Sequence, residues 1–181
     1  NPYAAVPWTN INYTGYITDQ IGLGRTTSLG FHPTDVNTFY VGAAIGGIWK
    51  TTDGGQNYVP LGDDLPFMAV SAIIVDRVNP NIIYIAVSDH VWYGPQGIGV
   101  YKSTNGGPSW EAIGLDGTER ISDIIIHPTD PNTAYVAALG HLWNANEERG
   151  VFKATDGRAT WEKIIYIEEN TGANDLARNG Y

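Results

Sequence analysis

The 181-residue chain is long enough to bury a substantial core in one domain, and 43% of its residues are hydrophobic. Nineteen acidic and ten basic residues give a net charge of −9, which repels phosphate backbones and argues against nucleic acid as a partner. No apolar run approaches the length of a membrane span, and without cysteine the chain depends on no disulfide.

The predicted elements follow a repeat. A nine-residue segment begins at Lys50, Lys102 and Lys153, so its copies start 52 and 51 residues apart. A period of this length is typical of one four-stranded propeller blade. We therefore predict an all-β fold, a β-propeller of four-stranded antiparallel blades, with strands A, B, C and D in each blade.

In chain order, the first element is a lone D strand at residues 7–14, because Trp8 aligns with Trp110 and Trp161 at the start of later D strands. Blade 1 follows at 22–62, blade 2 at 69–115 and blade 3 at 120–167, and residues 172–181 begin a fourth blade. The third blade has the clearest strand signals, rich in β-branched and aromatic residues. They are Ile121–Ile126, 133–138, Gly150–Ala154 and 161–165.

This count gives three full blades between two incomplete ones. An open stack would leave apolar blade faces and strand edges exposed to water. We keep two explanations open. The chain is the N-terminal part of a longer polypeptide, whose last blade residues 7–14 would complete, or copies of the chain supply the missing neighbours by self-assembly.

The repeated segment forms the turn between strands C and D. Its Asp or Asn side chain can accept backbone N–H groups, its glycines permit positive φ, and its final aromatic residue can pack beneath the turn. These roles predict a structural set: Thr51, Asp53, Gly55, Tyr58, Ser103, Asn105, Gly107, Trp110, Asp156 and Trp161.

These turns resemble the Asp-box, or BNR repeat, of sialidase-type and sortilin-type propellers, whose pattern is Ser/Thr-x-Asp-x-Gly-x-Thr-Trp. Tyr58, Asn105, Ala154 and Arg158 depart from it. The stretches 137–143, 146–152 and 168–173 are also similar to secreted bacterial proteins of the sortilin-like group. The resemblance implies a secreted or surface-exposed bacterial protein, in a group that includes glycoside hydrolases, assembly factors and sorting receptors.

Two of the loops between strands B and C share a His-x-Trp pattern. In a propeller, the B–C and D–A loops lie on the face opposite the A–B and C–D turns, and ligands usually bind there. We predict a protein or glycan ligand on that face, contacted by His90, Trp92, Tyr93, His141 and Trp143. The alternative is that the repeated pattern is a structural wedge between blades.

Acidic residues also concentrate in these loops, and glycoside hydrolysis requires two carboxylates across the scissile bond. The sequence singles out no such pair, so no catalytic residue is assigned. Two histidines on one face are too few for a zinc site, and we predict neither metal nor cofactor. Asn12 begins an Asn-x-Thr sequon and is a glycosylation candidate.

Two functional hypotheses follow. The first is a non-catalytic binding or assembly module of a propeller protein. The alternative is the N-terminal part of a carbohydrate-active enzyme, a glycoside hydrolase with its catalytic residues in blades outside this chain.

Overall fold

A computed structural model describes residues 25–88, 97–157 and 160–177. Those residues form twelve strands and no helix. The strands are β1 (Thr26–Phe31), β2 (Phe39–Ala43), β3 (Ile48–Thr51), β4 (Val59–Pro60), β5 (Ala72–Val75), β6 (Ile83–Val87), β7 (Gly99–Ser103), β8 (Glu111–Ala112), β9 (Ile121–Ile126), β10 (Ala134–Ala138), β11 (Gly150–Ala154) and β12 (Glu162–Ile165).

The strands make three antiparallel sheets, each in sequence order: β1 to β4, β5 to β8, and β9 to β12. Each sheet therefore has strands A, B, C and D from one edge to the other, as the repeat predicts. The prediction of an all-β fold of propeller blades is confirmed. Strands β9 to β12 begin and end within one residue of the predicted positions.

The blades stack face to face, with β1 against β5 and β5 against β9. One apolar cluster lies between blades 1 and 2 and contains Tyr40, Ile48 and Ile83; a second lies between blades 2 and 3. Every residue of β6 is buried. Both faces of the middle sheet are covered, which explains why β5 and β6 are apolar along their whole length rather than alternating.

The C–D turn of blade 1 is held by its own side chains. The Asp53 carboxylate accepts the backbone N–H groups of Gln56 and Asn57, both at 2.9 Å, and the Thr51 hydroxyl accepts that of Gly55 at 2.9 Å. In blade 2, Asn105 replaces the aspartate. Its amide oxygen accepts the Ser109 N–H at 3.2 Å, and the Ser103 hydroxyl accepts that of Gly107 at 2.9 Å.

In each blade, the A–B and C–D turns are hydrogen-bonded to each other by one backbone N–H. The glycine that donates it has positive φ, a conformation that glycine adopts without steric cost. The pairs, all at 2.9 Å, are Gly54 to Asn37, Gly106 to Asn81 and Gly157 to Asn132.

The B–C and D–A loops contact each other in the same repeated way. The donor and acceptor pairs are Gly47 and Met68 (2.7 Å), Gly97 and Glu119 (2.9 Å), and Asn146 and Glu169 (3.1 Å). The A–B and C–D turns are thus bonded to each other at one end of the blades, and the B–C and D–A loops are bonded to each other at the other end. The short turns are nearly constant along the chain, whereas the B–C loops vary in length.

The last aromatic residue of the turn corrects one expectation. Only Tyr58 packs beside its own turn, edge-on to the Phe39 ring at 6.2 Å. The indoles of Trp110 and Trp161 instead donate to the preceding blade, to the carbonyls of Leu61 (2.9 Å) and Ile113 (2.5 Å). The acceptors stand 52 residues apart in the sequence. These tryptophans therefore bind one blade to another.

A tyrosine on strand B makes the reverse connection, to the following blade. Tyr40 donates to the Gly106 carbonyl at 3.3 Å, and Tyr84 to the Pro131 carbonyl at 2.7 Å. Lys102 lies over the Tyr84 ring, 5.1 Å from its centroid, and donates onward to the next blade. Burial is the main reason that the pKa of Tyr84 lies above its usual range, so its hydroxyl stays a donor.

Hydroxyls on the inner strands complete the blade-to-blade contacts. Each donates to a backbone carbonyl of the segment that follows the D strand of its own blade. The pairs are Thr27 with Val70, Ser71 with Ile121 (2.7 Å) and Ser122 with Ala173 (3.0 Å). These bonds fix the register of the inner strands against the segment that follows.

The turn chemistry predicts a pH-dependent difference between Asp53 and Asn105. Hydrogen bonds from the Asn57 backbone and side chain, with that of Thr51, lower the pKa of Asp53 to about 2. A carboxyl group whose pKa is lower in the folded chain than in the unfolded chain stabilises the fold at pH values above its unfolded pKa of roughly 4. That stabilisation is lost as the pH falls toward 2. We expect Asp53→Asn to lower the melting temperature at pH 6 and to have little effect near pH 2.

The reciprocal variant is the matched control. Asn105→Asp should raise the melting temperature at pH 6 and make it more sensitive to acid, because a charged acceptor replaces an amide in the same turn. Thermal melts at pH 6 and pH 2.5 measure both. Equal effects of Asp53→Asn at the two pH values would contradict the argument.

Candidate functional site

The B–C loop of blade 3, residues 139–149, is organised around the side chain of Asn146. Its amide oxygen accepts the N–H groups of His141 (3.3 Å) and Glu148 (3.2 Å). Its amide nitrogen donates to the carbonyls of His141 (3.3 Å) and Asn144 (2.8 Å). One side chain therefore closes the loop from the inside and satisfies four backbone groups that would otherwise depend on water.

Two basic side chains donate hydrogen bonds to backbone carbonyls of the same loop. The Arg149 guanidinium donates to the carbonyl of His141 at 2.5 Å and to that of Asn144 at 3.4 Å. Lys163, on strand D of the same blade, donates to the Glu147 carbonyl and lies over the Tyr166 ring, 4.6 Å from its centroid. The loop is thus fixed before any ligand arrives, which lowers the entropic cost of binding.

His141 joins this loop to the D–A loop between blades 2 and 3. Its Nε2 lies 3.3 Å from the Gly117 carbonyl, and its Nδ1 lies 4.0 Å from a carboxylate oxygen of Glu119. This contact agrees with the structural alternative for the repeated histidine, since it bridges two loops. The side chain is still one third exposed and can contact a ligand.

Two carboxylates lie where the B–C loop of blade 3 meets the D–A loop before it. Glu119 forms an ion pair of 3.1 Å with Arg120, whose side chain is almost wholly buried. Glu148 accepts a long hydrogen bond, 3.4 Å, from the hydroxyl of Thr118. Glu119 is held by its neighbour in the same loop and Glu148 by a residue of the facing loop, so both present oriented acceptors rather than freely moving side chains.

Trp143 is the most exposed aromatic side chain of the described loops. Its relative exposure is 68%, although the backbone of its loop is held by hydrogen bonds from Asn146 and Arg149. His141 and Trp143 thus lie two residues apart on one loop, and His141 lies beside Glu119. The other predicted site residues, His90, Trp92, Tyr93 and Asn12, lie outside the described residues, and their roles stay predictions.

Sequence reasoning missed the residues that build this loop. Asn146 and Arg149 bond mostly to backbone carbonyls and N–H groups within ten residues, and such contacts leave no periodic pattern. The glycine at position 140 was the available signal in the sequence, because glycine tolerates the positive φ of a turn, and the structure gives Gly140 a φ of 66°.

Another carboxyl group of interest lies on β9, the inner strand of blade 3. Asp123, on β9, accepts the N–H groups of Ile124 (2.8 Å) and Leu176 (3.1 Å). Burial is the main cause that raises the pKa of Asp123, and the neighbouring carboxyl of Asp175 raises it further. Asp175 accepts the same Leu176 N–H at 2.9 Å, so the two carboxyl groups lie side by side around one backbone donor.

Within the three described ranges, no three His, Cys, Asp or Glu side chains group in a way that could hold a metal ion. Those ranges also contain no helix that is long and apolar enough to cross a membrane.

No family model matches the chain. Two curated relatives are a xyloglucanase, Xgh74A, of Acetivibrio thermocellus and a xyloglucanase of a Paenibacillus species. The first is 25% identical over an alignment of length 173 that covers 87% of this chain and 19% of that enzyme. The second is 24% identical over an alignment of length 178 that covers 90% of this chain and 16% of that enzyme. The chain therefore spans less than a fifth of the curated relatives it matches.

Among solved structures, a GH74 xyloglucanase from Xanthomonas campestris matches with a TM-score of 0.55 and 22% identity. The match covers 77% of this chain and 20% of that one. This likeness supports a partial propeller. The Asp-box and sortilin-like labels remain resemblances.

The Asp123–Asp175 pair gives a second pH prediction. A carboxyl group such as Asp123, whose pKa is higher in the folded chain, stabilises the fold at pH values below its unfolded pKa of roughly 4. That stabilisation is lost as the pH rises through its folded pKa. Asp123→Asn keeps an acceptor for the Leu176 N–H but carries no charge. It should therefore raise the melting temperature at pH 8 relative to the unmodified chain, and less or not at all at pH 4. A constant difference between pH 4 and pH 8 would show that the pair carries no such repulsion.

Proposed function

We propose that this chain is a propeller segment of a secreted carbohydrate-active protein, whose B–C and D–A loop face contacts a polysaccharide. The observation that carries the proposal is Trp143, an exposed indole on a preorganised loop beside hydrogen-bonding side chains. The xyloglucanases among the curated relatives support the same class. They favour the glycoside-hydrolase alternative over a module without any link to catalysis.

The chemistry of the loop suits a sugar chain. A pyranose ring offers an apolar C–H face, which stacks on an aromatic ring, and a rim of hydroxyl groups, which require oriented donors and acceptors. Trp143 supplies the ring. His141 and the carboxylates of Glu119 and Glu148 supply partners for hydroxyls, and their own hydrogen bonds fix their directions.

This segment contributes binding rather than bond cleavage in our proposal. Glu119 is in an ion pair with Arg120, and the carboxyl groups of Asp123 and Asp175 both accept the Leu176 N–H. The carboxylates that cleave a glycosidic bond would then come from other parts of a larger propeller protein. The described loops would hold the chain of sugars beside them.

A non-catalytic binding module is the second candidate. It is favoured by the same engagement of Glu119 and Glu148 in hydrogen bonds with loop residues, which suits recognition better than proton transfer. The two candidates share the binding face and differ only in turnover. A hydrolysis assay on the longer natural polypeptide separates them, because release of reducing ends from xyloglucan supports the enzyme and binding without release supports the module.

The binding face is tested with xyloglucan oligosaccharides as the probe. Trp143→Ala should weaken binding by roughly tenfold, since loss of a stacking ring costs on the order of 1–2 kcal/mol. Calorimetric titration measures the effect. The matched control is Val78→Ala, because Val78 is equally exposed at 68% but lies in an A–B turn on the opposite face.

Binding that survives Trp143→Ala undiminished would defeat the placement of the site. Equal loss from Val78→Ala would show that the effect is general destabilisation. His141→Ala is the second variant. It should weaken binding less than Trp143→Ala because part of its hydrogen bonding is to the protein itself.

A further inference from the structure

The seam between blades 1 and 2 contains a groove of about 290 Å³, beside the outer strands of blade 2. Blade 1 contributes part of its D–A loop, and blade 2 contributes β7 and the end of its C–D turn. The lining includes Asp64, Pro66, Tyr101, Pro108, Ser109 and Trp110. Loop 139–149 does not line it. Binding sites for small ligands begin at roughly 300 Å³, so the groove suits a short stretch of a chain-like ligand.

Blade 2 leaves uncovered an aromatic ring that blade 3 covers with a lysine. Ala112 lies directly opposite Tyr101 on the neighbouring strand, so both side chains lie on one face of the blade. In blade 3, Lys163 lies opposite Phe152, with its ammonium 5.7 Å from the ring centroid. Phe152 is 6% exposed, whereas Tyr101 is half-buried and Ala112 is exposed. The groove therefore opens where a short side chain replaces a long one.

Two aromatic side chains of the groove are held in place by the seam. The Trp110 indole donates to the Leu61 carbonyl at 2.9 Å, and both Trp110 and Tyr101 pack against the apolar cluster between blades 1 and 2. The Tyr101 hydroxyl makes no hydrogen bond with the part of the chain that the structure describes. Burial, followed by the carboxylate of Asp116, raises the pKa of Tyr101, so its hydroxyl stays protonated and can donate to a ligand.

Polar groups from two different elements border these aromatic side chains. Asp64 is an exposed residue of the D–A loop of blade 1. Ser109 ends the C–D turn of blade 2, where its hydroxyl accepts the Asn105 amide at 2.8 Å. No basic side chain is among the described residues that line the groove. An anionic ligand would therefore meet the Asp64 carboxylate without a counter-charge, so the groove suits a neutral one.

We propose that this groove is a second subsite for a neutral polysaccharide, in which a pyranose ring packs against Tyr101 and Trp110. The Tyr101 hydroxyl would donate to a sugar hydroxyl, and the Asp64 carboxylate would accept from another. The choice of a sugar rests on the proposed function. The groove itself uses no residue of the loop that carries His141 and Trp143.

An extended peptide fits this groove less well. A peptide that adds as a strand needs main-chain partners, and Pro66 and Pro108 have no backbone N–H to offer. Sugar hydroxyls instead need side-chain donors and acceptors beside an apolar surface, which is what the lining provides. A proline-rich peptide is therefore an alternative for the experiment to exclude.

Hydroxyl-radical footprinting of the natural polypeptide that contains residues 1–181 tests the subsite, with xyloglucan oligosaccharides as the probe. Oxidation of Tyr101 and Trp110 should fall when the oligosaccharides are added. Galacturonic acid oligomers of matched length should protect neither side chain, because they are anionic. Protection by the anionic oligomers to the same degree, or by a proline-rich peptide in place of the sugar, would overturn the proposal.

Ala112→Lys fills the groove with the side chain that blade 3 carries at the same place, so the fold should tolerate it. The oligosaccharide concentration that half-protects Trp110 should rise by roughly tenfold, because stacking area is lost. Protection of Trp143 should not change. Ala112→Ser is the matched control and should leave both side chains protected. An equal loss of protection from Ala112→Ser would overturn the proposal.

Tyr101→Phe keeps the test decisive if Ala112→Lys fails to fold, because it removes only the hydroxyl. It should weaken protection of Trp110 by roughly threefold, and an unchanged midpoint would overturn the proposed hydrogen bond.

The two binding sites fail separately. Unprotected Tyr101 and Trp110 in a polypeptide whose Trp143 is protected would overturn the second subsite and leave the proposed function standing. Protected Tyr101 and Trp110 beside an unprotected Trp143 would support the subsite and defeat the binding face on blade 3.

Discussion

The structure depends on one constraint, which is that a four-stranded blade with two apolar faces is stable only between neighbours. Burial of those faces supplies the stabilising free energy, but apolar contact does not fix direction. The directional part comes from side chains that donate to backbone carbonyls of the adjacent blade. Trp110 and Trp161 donate to the preceding blade, while Tyr40 and Tyr84 donate to the following one. Each seam is therefore bonded in both directions, and its register is set.

The same constraint decides where function can reside. The A–B and C–D turns take part in the seams and are bonded to each other in every blade, so their length is nearly fixed. The B–C loops extend from the opposite face and are free to differ. Blade 1 has a short loop at this place, whereas blade 3 has a longer one with its own internal frame from Asn146 and Arg149. We propose the ligand site on this face because its loops have that freedom.

The repeat alone was enough to predict the strands, the blade architecture and the turn bonds of Asp53 and Asn105, because these features are local and recur. It could not predict the partners of Trp110 and Trp161. Those bonds join positions about 50 residues apart, and the aromatic pattern looks the same whether a ring packs under its own turn or on the preceding blade. The frame of the His141 loop was hidden for a different reason, since Asn146 acts through backbone groups that every residue has.

Amide and indole hydrogen exchange followed by NMR tests the central claim most directly. The indole N–H groups of Trp110 and Trp161 should be protected to the same degree as the backbone amides of β6, because both are released only when blades separate. Exchange of these two indoles at the rate of an unfolded chain, while the amides of β6 stay protected, would contradict the account. In that case the two indoles would not be among the groups that hold the blades together.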